Sequence, residues 1–232
     1  MREAFANQLS ELEMRLEQAL QRAAGTLGKV GEALGDPSDE AAQVIARDAH
    51  KLRGVSRATD ADLVVITARQ TPVDGDLRLV LALVQLAHHG GLIANQFELI
   101  SDQLTEIDPN VHDRTNTAEK LAQMTALAGA QLRDALTAFV NRDLPLAHQI
   151  DGQDDAIDRL NRQAFEATLE IDIAPDHREL AMRHVLIARS LERIGDNAVD
   201  IAEQAAFLLT AELHEFTDAS HPHKRAEHDQ DS

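Results

Sequence analysis

Apolar residues recur at intervals of three and four along almost the whole chain, beginning with Phe5, Leu9, Leu12, Leu16 and Leu20. That spacing gathers them on one face of a helix. Ala, Leu, Glu, Gln and Arg, all good helix formers, dominate the intervening positions. No strand-like alternation appears, and Gly and Pro fall between the periodic runs. The pattern predicts six helices. The first runs from about Arg2 to Leu34 and ends at GDPS, where Ser38 caps a second that reaches about Gln70. TPVDG breaks the chain, and Asp76 is the expected cap of a third helix that stops before Pro109. The fourth is expected from about Val111 to Arg142, the fifth from about Pro145 to Ile171, and the sixth, capped by Asp176, to about Leu213. Helices of roughly 30 residues span ~45 Å, and short links force neighbours antiparallel. The expected fold is all-α, an elongated up-and-down bundle.

The six helices divide into two threes whose sequences align. ALGDPSDEAAQVIARD in the first half lies over AFVNRDLPLAHQIDGQD in the second, pairing Val44 with Ile150 and Asp48 with Asp154. The segment from Asp76 lies without a gap over the segment from His177, pairing Gly91 with Glu192, Asn95 with Asp196 and Glu98 with Val199. This is a tandem duplication of a three-helix unit. Residues 1–108 form the first repeat, 109–213 the second, and 214–232 an expected disordered polar tail.

Charge narrows the function. Of 232 residues, 22 are Lys or Arg and 40 are Asp or Glu, a formal net charge of −18. Nucleic-acid binding is dominated by cations meeting phosphates, and an anionic membrane surface is held by basic residues; this balance opposes both. Trp and Tyr are absent, so base-stacking platforms are missing. Without Cys there is neither a disulfide framework nor a catalytic thiol. The N-terminus has charges throughout and no signal-peptide core, and no stretch is read as a membrane span. A cytoplasmic protein without direct membrane insertion is expected. Motifs for nucleophilic Ser chemistry or phosphate-cradling Gly loops have no counterpart.

A carboxylate stripe is the candidate chemistry. Glu192, Asp196 and Asp200 stand four residues apart on the sixth helix, with Glu203 three further on, which places them on one face. Like charges at that spacing repel by roughly 0.2–0.5 kcal/mol per pair, so a cation should sit against them. The fifth helix supplies Asp151, Asp154 and Asp158. Two readings follow: a solvated acidic face, or two D/E-x-x-x-D pairs converging on a site. Gly195, at mid-helix, costs about 1 kcal/mol relative to Ala and indicates close approach of another backbone. Oxygen-only ligands suit Mg²⁺, Mn²⁺ or Fe rather than a closed structural zinc site.

RSLERIGDNAVDIAE (Arg189 to Glu203), DDAIDRL (Asp154 to Leu160) and DLR (Asp76 to Arg78) resemble the PhoU family of phosphate-uptake regulators. The resemblance extends over residues 1–213. It implies two three-helix bundles, no catalytic activity, and negative control of the phosphate-starvation response. The implied partners are a sensor histidine kinase and the ATPase subunit of the phosphate ABC transporter, with a homodimer as the assembly. It also implies a carboxylate-bound cation (Fe, Mn, Mg or Zn) at Asp154, Asp158, Glu192 and Asp196, with Asp200 as a neighbour. The first half departs from this pattern: GLIANQ replaces the second LERIGD, and the partner position of Asp48 is Leu52. The first-half site is therefore expected to be dead or strongly weakened. One rival reading rests on AHKLRGVS (Ala49 to Ser56), which looks like a histidine phosphotransfer box with His50 as phosphoacceptor, Arg53 as stabilising cation and Gly54 as the small residue. It leaves the duplication and LERIGD unexplained.

Overall fold

The computed structural model describes residues 2–70, 72–111, 113, 116–169 and 175–212; the expected tail at 214–232 lies outside them. The described residues form six helices: α1 (Arg2–Gly35), α2 (Asp39–Arg69), α3 (Asp74–Thr105), α4 (Thr117–Asn141), α5 (Leu144–Leu169) and α6 (Pro175–Thr210). Ser38 caps α2 as expected, its hydroxyl accepting from the Ala41 N–H at 3.3 Å. Three expected starts are corrected. Asp76 is in the first turn of α3, whose N-cap is Val73. Asp176 is likewise inside the first turn of α6. Helix α4 begins at Thr117 rather than Val111, after Asn116 in a left-handed conformation. Asp143 holds the start of α5, its carboxylate accepting from the Leu146 N–H at 3.0 Å.

Helices α1–α3 pack as one bundle and α4–α6 as a second, joined by α1 against α4 and α3 against α6. Neighbours run antiparallel. Between α1 and α2, Arg15 meets Asp62 and Lys29 meets Asp48; between α2 and α3, Ala42 meets Ser101 and Ser56 lies by Gly90. The joining pairs are antiparallel too, since Glu13 meets Arg142 while Gly31 meets Thr125. Equivalent helices thus meet across a local two-fold axis. Where Gly129 of α4 crosses α1, a Cβ would lie 3.4 Å from the Ala24 carbonyl oxygen.

Helix α3 corrects one reading of the sequence. By length and composition it is apolar enough to cross a membrane. Its face explains that composition, because Val80, Leu83, Leu86, Ile93, Phe97 and Ile100 are buried against the other helices.

The structure also moves the internal alignment of α2 on α5 by one residue. Buried Ile45 corresponds to buried Ile150, and buried Ala49 to buried Asp154. Lys29 meets Asp48 in the first bundle just as Asp134 meets Gln153 in the second. Asp48 therefore corresponds to Gln153, and Arg53, not Leu52, stands where the second bundle has Asp158.

Candidate functional site

Helix α5 buries Ala147, Ile150, Ile157 and Ala164, and the same face carries Asp154 and Asp158. Helix α6 turns Ile187, Leu191, Ile194 and Ala198 inward and carries Glu192 beside them. Packing α5 on α6 therefore draws three carboxylates out of water. Asp154 is 5 %, Asp158 2 % and Glu192 5 % exposed. Charges buried to that degree need compensation.

Part of it comes from the protein. Gln131 of α4 donates to Asp154 at 3.1 Å. Arg162, one turn along α5, is 3.7 Å from Asp158. Arg189 forms an ion pair with Glu192, and Asn161 hydrogen-bonds to it. Burial, reinforced by the charge of Asp158, still pushes the Glu192 carboxyl above its ordinary range, against the pull of Arg189 and Asn161. The shift places Glu192 and Asp158 close enough to repel. Gly195 makes the seam fit. A Cβ there would stand 3.0 Å from Asp154 Oδ1, 3.0 Å from Gln131 Oε1 and 3.1 Å from Ile157 Cδ1. The close approach read from this glycine is real, but side chains make it, not a backbone.

The expected stripe divides. Asp196 is half-buried, one turn beyond Glu192. Asp200, a turn further on, has Oδ2 3.4 Å from His89 Nδ1 on α3. Asn197 joins this second group: its Nδ2 donates to the Arg193 carbonyl, which leaves Oδ1 to accept from His89 Nδ1 at 2.9 Å. Asp200 thus belongs to the seam between the bundles. Among the described residues, no three His, Asp or Glu side chains assemble into a group that could hold a metal ion. The donors at the α5–α6 seam are of the right chemistry for an oxygen-seeking cation, but Arg162 and Arg189 supply the positive charge in this arrangement. Both arginines are largely exposed, at 61 % and 56 %, so neither is locked in place.

The first bundle answers the same geometry with internal cations. Arg53 binds Glu98 and donates to Asn95 Oδ1 at 2.6 Å, and Asn95 is the counterpart of Asp196. Asp48 is held by Lys29 at 2.5 Å and Lys51 at 3.2 Å. Burial opposes its charge, yet the two ammonium groups prevail and hold its carboxyl below the usual range. Arg162 and Arg189 were legible as i,i+4 and i,i+3 neighbours of Asp158 and Glu192. Gln131 and His89 were not, because each acts from a different helix.

Residues 121–205, within the second bundle, match the PhoU domain family. Curated relatives extend the likeness to the whole chain. A phosphate-specific transport system accessory protein, PhoU homolog 1 of Methanothermobacter thermautotrophicus, is 25 % identical over 213 residues, covering 90 % of this chain and 95 % of that protein. PhoU homolog 2 of Mycobacterium tuberculosis is 28 % identical over 215 residues, covering 90 % and 98 %. Two crystal structures share the fold. PhoU from Streptococcus pneumoniae superposes with a TM-score of 0.80 at 24 % identity, covering 91 % of this chain and 99 % of that one. PhoU from Pseudomonas aeruginosa gives 0.79 at 20 %, covering 91 % and 100 %. Residues 121–205 thus match the PhoU domain, and over nine-tenths of its length the chain is similar to proteins named PhoU homologs.

Proposed function

We propose that this protein is a cytoplasmic negative regulator of phosphate uptake and of the phosphate-starvation response. It acts by contact, not catalysis, between the ATPase subunit of a phosphate ABC transporter and a sensor histidine kinase, and it works as a homodimer. The observation that supports this most is the near-full-length likeness to proteins named as phosphate-transport accessories. The buried groups at the α5–α6 seam are carboxylates held by arginines and an amide.

A cation at Asp154, Asp158, Glu192 and Asp196 belongs to the same proposal, and since these carboxylates do not converge on one point in this arrangement, their side chains would have to turn to close on it. Fe, Mn, Mg or Zn would replace Arg162 and Arg189 as the compensating charge. Support comes from the burial of three carboxylates in one seam and the exposure of both arginines. Asp200, which also meets His89, is the supporting neighbour of the set. The phosphotransfer alternative is disfavoured because Arg53, its stabilising cation, is engaged by Glu98 and Asn95.

Affinity purification from phosphate-replete cells, with elemental analysis of the isolated protein, tests the reading. It should recover the transporter ATPase or the kinase. Recovery of response regulators instead, with acid-labile phosphate on His50, contradicts it.

A further inference from the structure

Between α1 and α2 the first bundle holds an open groove of about 920 Å³. Its floor is small and apolar, with Ala19 and Gly25 on α1 and Gly54 and Ala58 on α2. Its rim carries Arg15, Arg22, Lys29 and Lys51 against one acid, Asp48, which pairs both lysines, still a local excess of positive charge on a chain of net charge −18.

Gly25 and Gly54 are inside long helices, where glycine is less favourable than Ala. A Cβ added to either meets nothing within 4 Å. No packing within the described chain calls for glycine at these positions. The second bundle is an internal comparison, because the same fold there has Arg159 where Gly54 stands, Met124 where Ala19 stands and Gln163 where Ala58 stands. Leu127 takes the place of Arg22. Lys120 keeps the charge of Arg15, whereas Asp134 stands where Lys29 does, so the clearance and the unbroken row of three cations are specific to the first bundle. Arg15, Arg22 and Lys29 are seven residues apart, one row along α1. That row extends about 21 Å at 1.5 Å per residue. Heptad-spaced cations match acids at the same spacing on a helix laid alongside. The apolar floor disfavours an occupant that is polar all round.

We propose that this groove docks an amphipathic helix of a partner protein. Its small or apolar stripe lies over Gly25 and Gly54, and Asp or Glu residues seven apart meet Arg15, Arg22 and Lys29. The ion pairs that Arg15 and Lys29 now make with Asp62 and Asp48 are partly exposed, and such pairs exchange at little cost. The proposal rests on the reading of the protein as a contact regulator only in requiring a partner.

The test uses the purified full chain and two fluorescein-labelled 21-residue helical peptides. Both carry the same Leu/Ala stripe, flanked in one by Glu and in the other by Lys at heptad spacing. Fluorescence anisotropy should show saturable binding of the Glu peptide alone, weakened at least tenfold by Arg22→Glu and by Gly54→Arg. Leu127→Glu, at the equivalent place in the second bundle, should leave the affinity unchanged. Arg22 is exposed and a Cβ at position 54 is unobstructed, so both variants should keep the parent circular dichroism. Failure of the Glu peptide to bind, or equal binding to both groove variants, overturns the proposal. Inorganic triphosphate is the second probe; if it binds through Arg22 while the peptide does not, the groove is a small-anion site and the helix is refuted. These outcomes leave the transporter and kinase assignment untouched, since that is tested separately by the purification experiment.

Discussion

Gly129 of α4 lies against the backbone of Ala24 of α1, and the two hold the same place in their repeats. The duplicated bundles therefore meet at their own local two-fold axis, where a side chain on one repeat would push directly on the other. Gly129→Leu should force the bundles apart and destabilise by about 1–3 kcal/mol, the usual range for overpacking. Thermal unfolding followed by circular dichroism should show a midpoint lower by about 2–4 °C per kcal/mol for a chain of this size.

Gly195 sets a second close approach, between α6 and the side chains of Asp154, Gln131 and Ile157. Ala at this position gains about 1 kcal/mol of helix propensity. Three contacts near 3 Å should outweigh that gain. Gly195→Ala is expected to lower stability by about 1–2 kcal/mol in urea titrations. Gly28→Ala, where a Cβ meets nothing within 4 Å, should raise it.

Burial penalises the charged form of the Glu192 carboxyl. Its folded-state pKa is raised above the unfolded value. The folded protein therefore takes up this proton first as pH falls, and this group's contribution to stability grows through that window. At neutral pH the charged form is a liability. Glu192→Gln in metal-free protein should be as stable as the parent or more stable, by about 1 kcal/mol. It should also lack the parent's gain on acidification just above the ordinary glutamate range. A large loss of stability at pH 7 would mean that Glu192 is a structural anchor.

The two bundles should differ in cation binding. Glu192→Gln with Asp196→Asn should remove most Mn²⁺, Fe²⁺ or Mg²⁺ binding in titration calorimetry. Asp48→Asn should change little, because Lys29 and Lys51 already neutralise that carboxylate. Equal loss in both variants, or no binding by the parent, contradicts a site in the second bundle.

Six helices, the antiparallel order and the duplication were legible because each helix repeats its apolar face over many turns, as Leu9 to Leu34 does in α1. Local caps were less so. Ser38 advertised itself, whereas α3 begins after the extended Val73, with no side-chain cap to read. The register of α2 on α5 slipped because Asp48 and Asp154 are chemically alike, while the fold aligns what is buried, Ala49 with Asp154. Identical residues suggested the pairing; packing decided otherwise. For the site, helical spacing placed the carboxylates on shared helix faces but could not tell which neighbour each would meet. Asp200 was grouped with Glu192 by its offset, yet the contact of α3 with α6 turns it toward His89. The groove of the first bundle left a trace only in Gly25 and Gly54, which single-helix patterns cannot distinguish from tolerated glycines.

The central claim, that this protein restrains the phosphate-starvation response by contact, is tested most directly in a deletion strain lacking any paralogue. The measurement is the activity of a starvation-induced promoter in phosphate-rich medium. The account predicts that the promoter stays on in rich phosphate and is silenced again when the full chain is supplied. A promoter that remains phosphate-sensitive without the protein would contradict it.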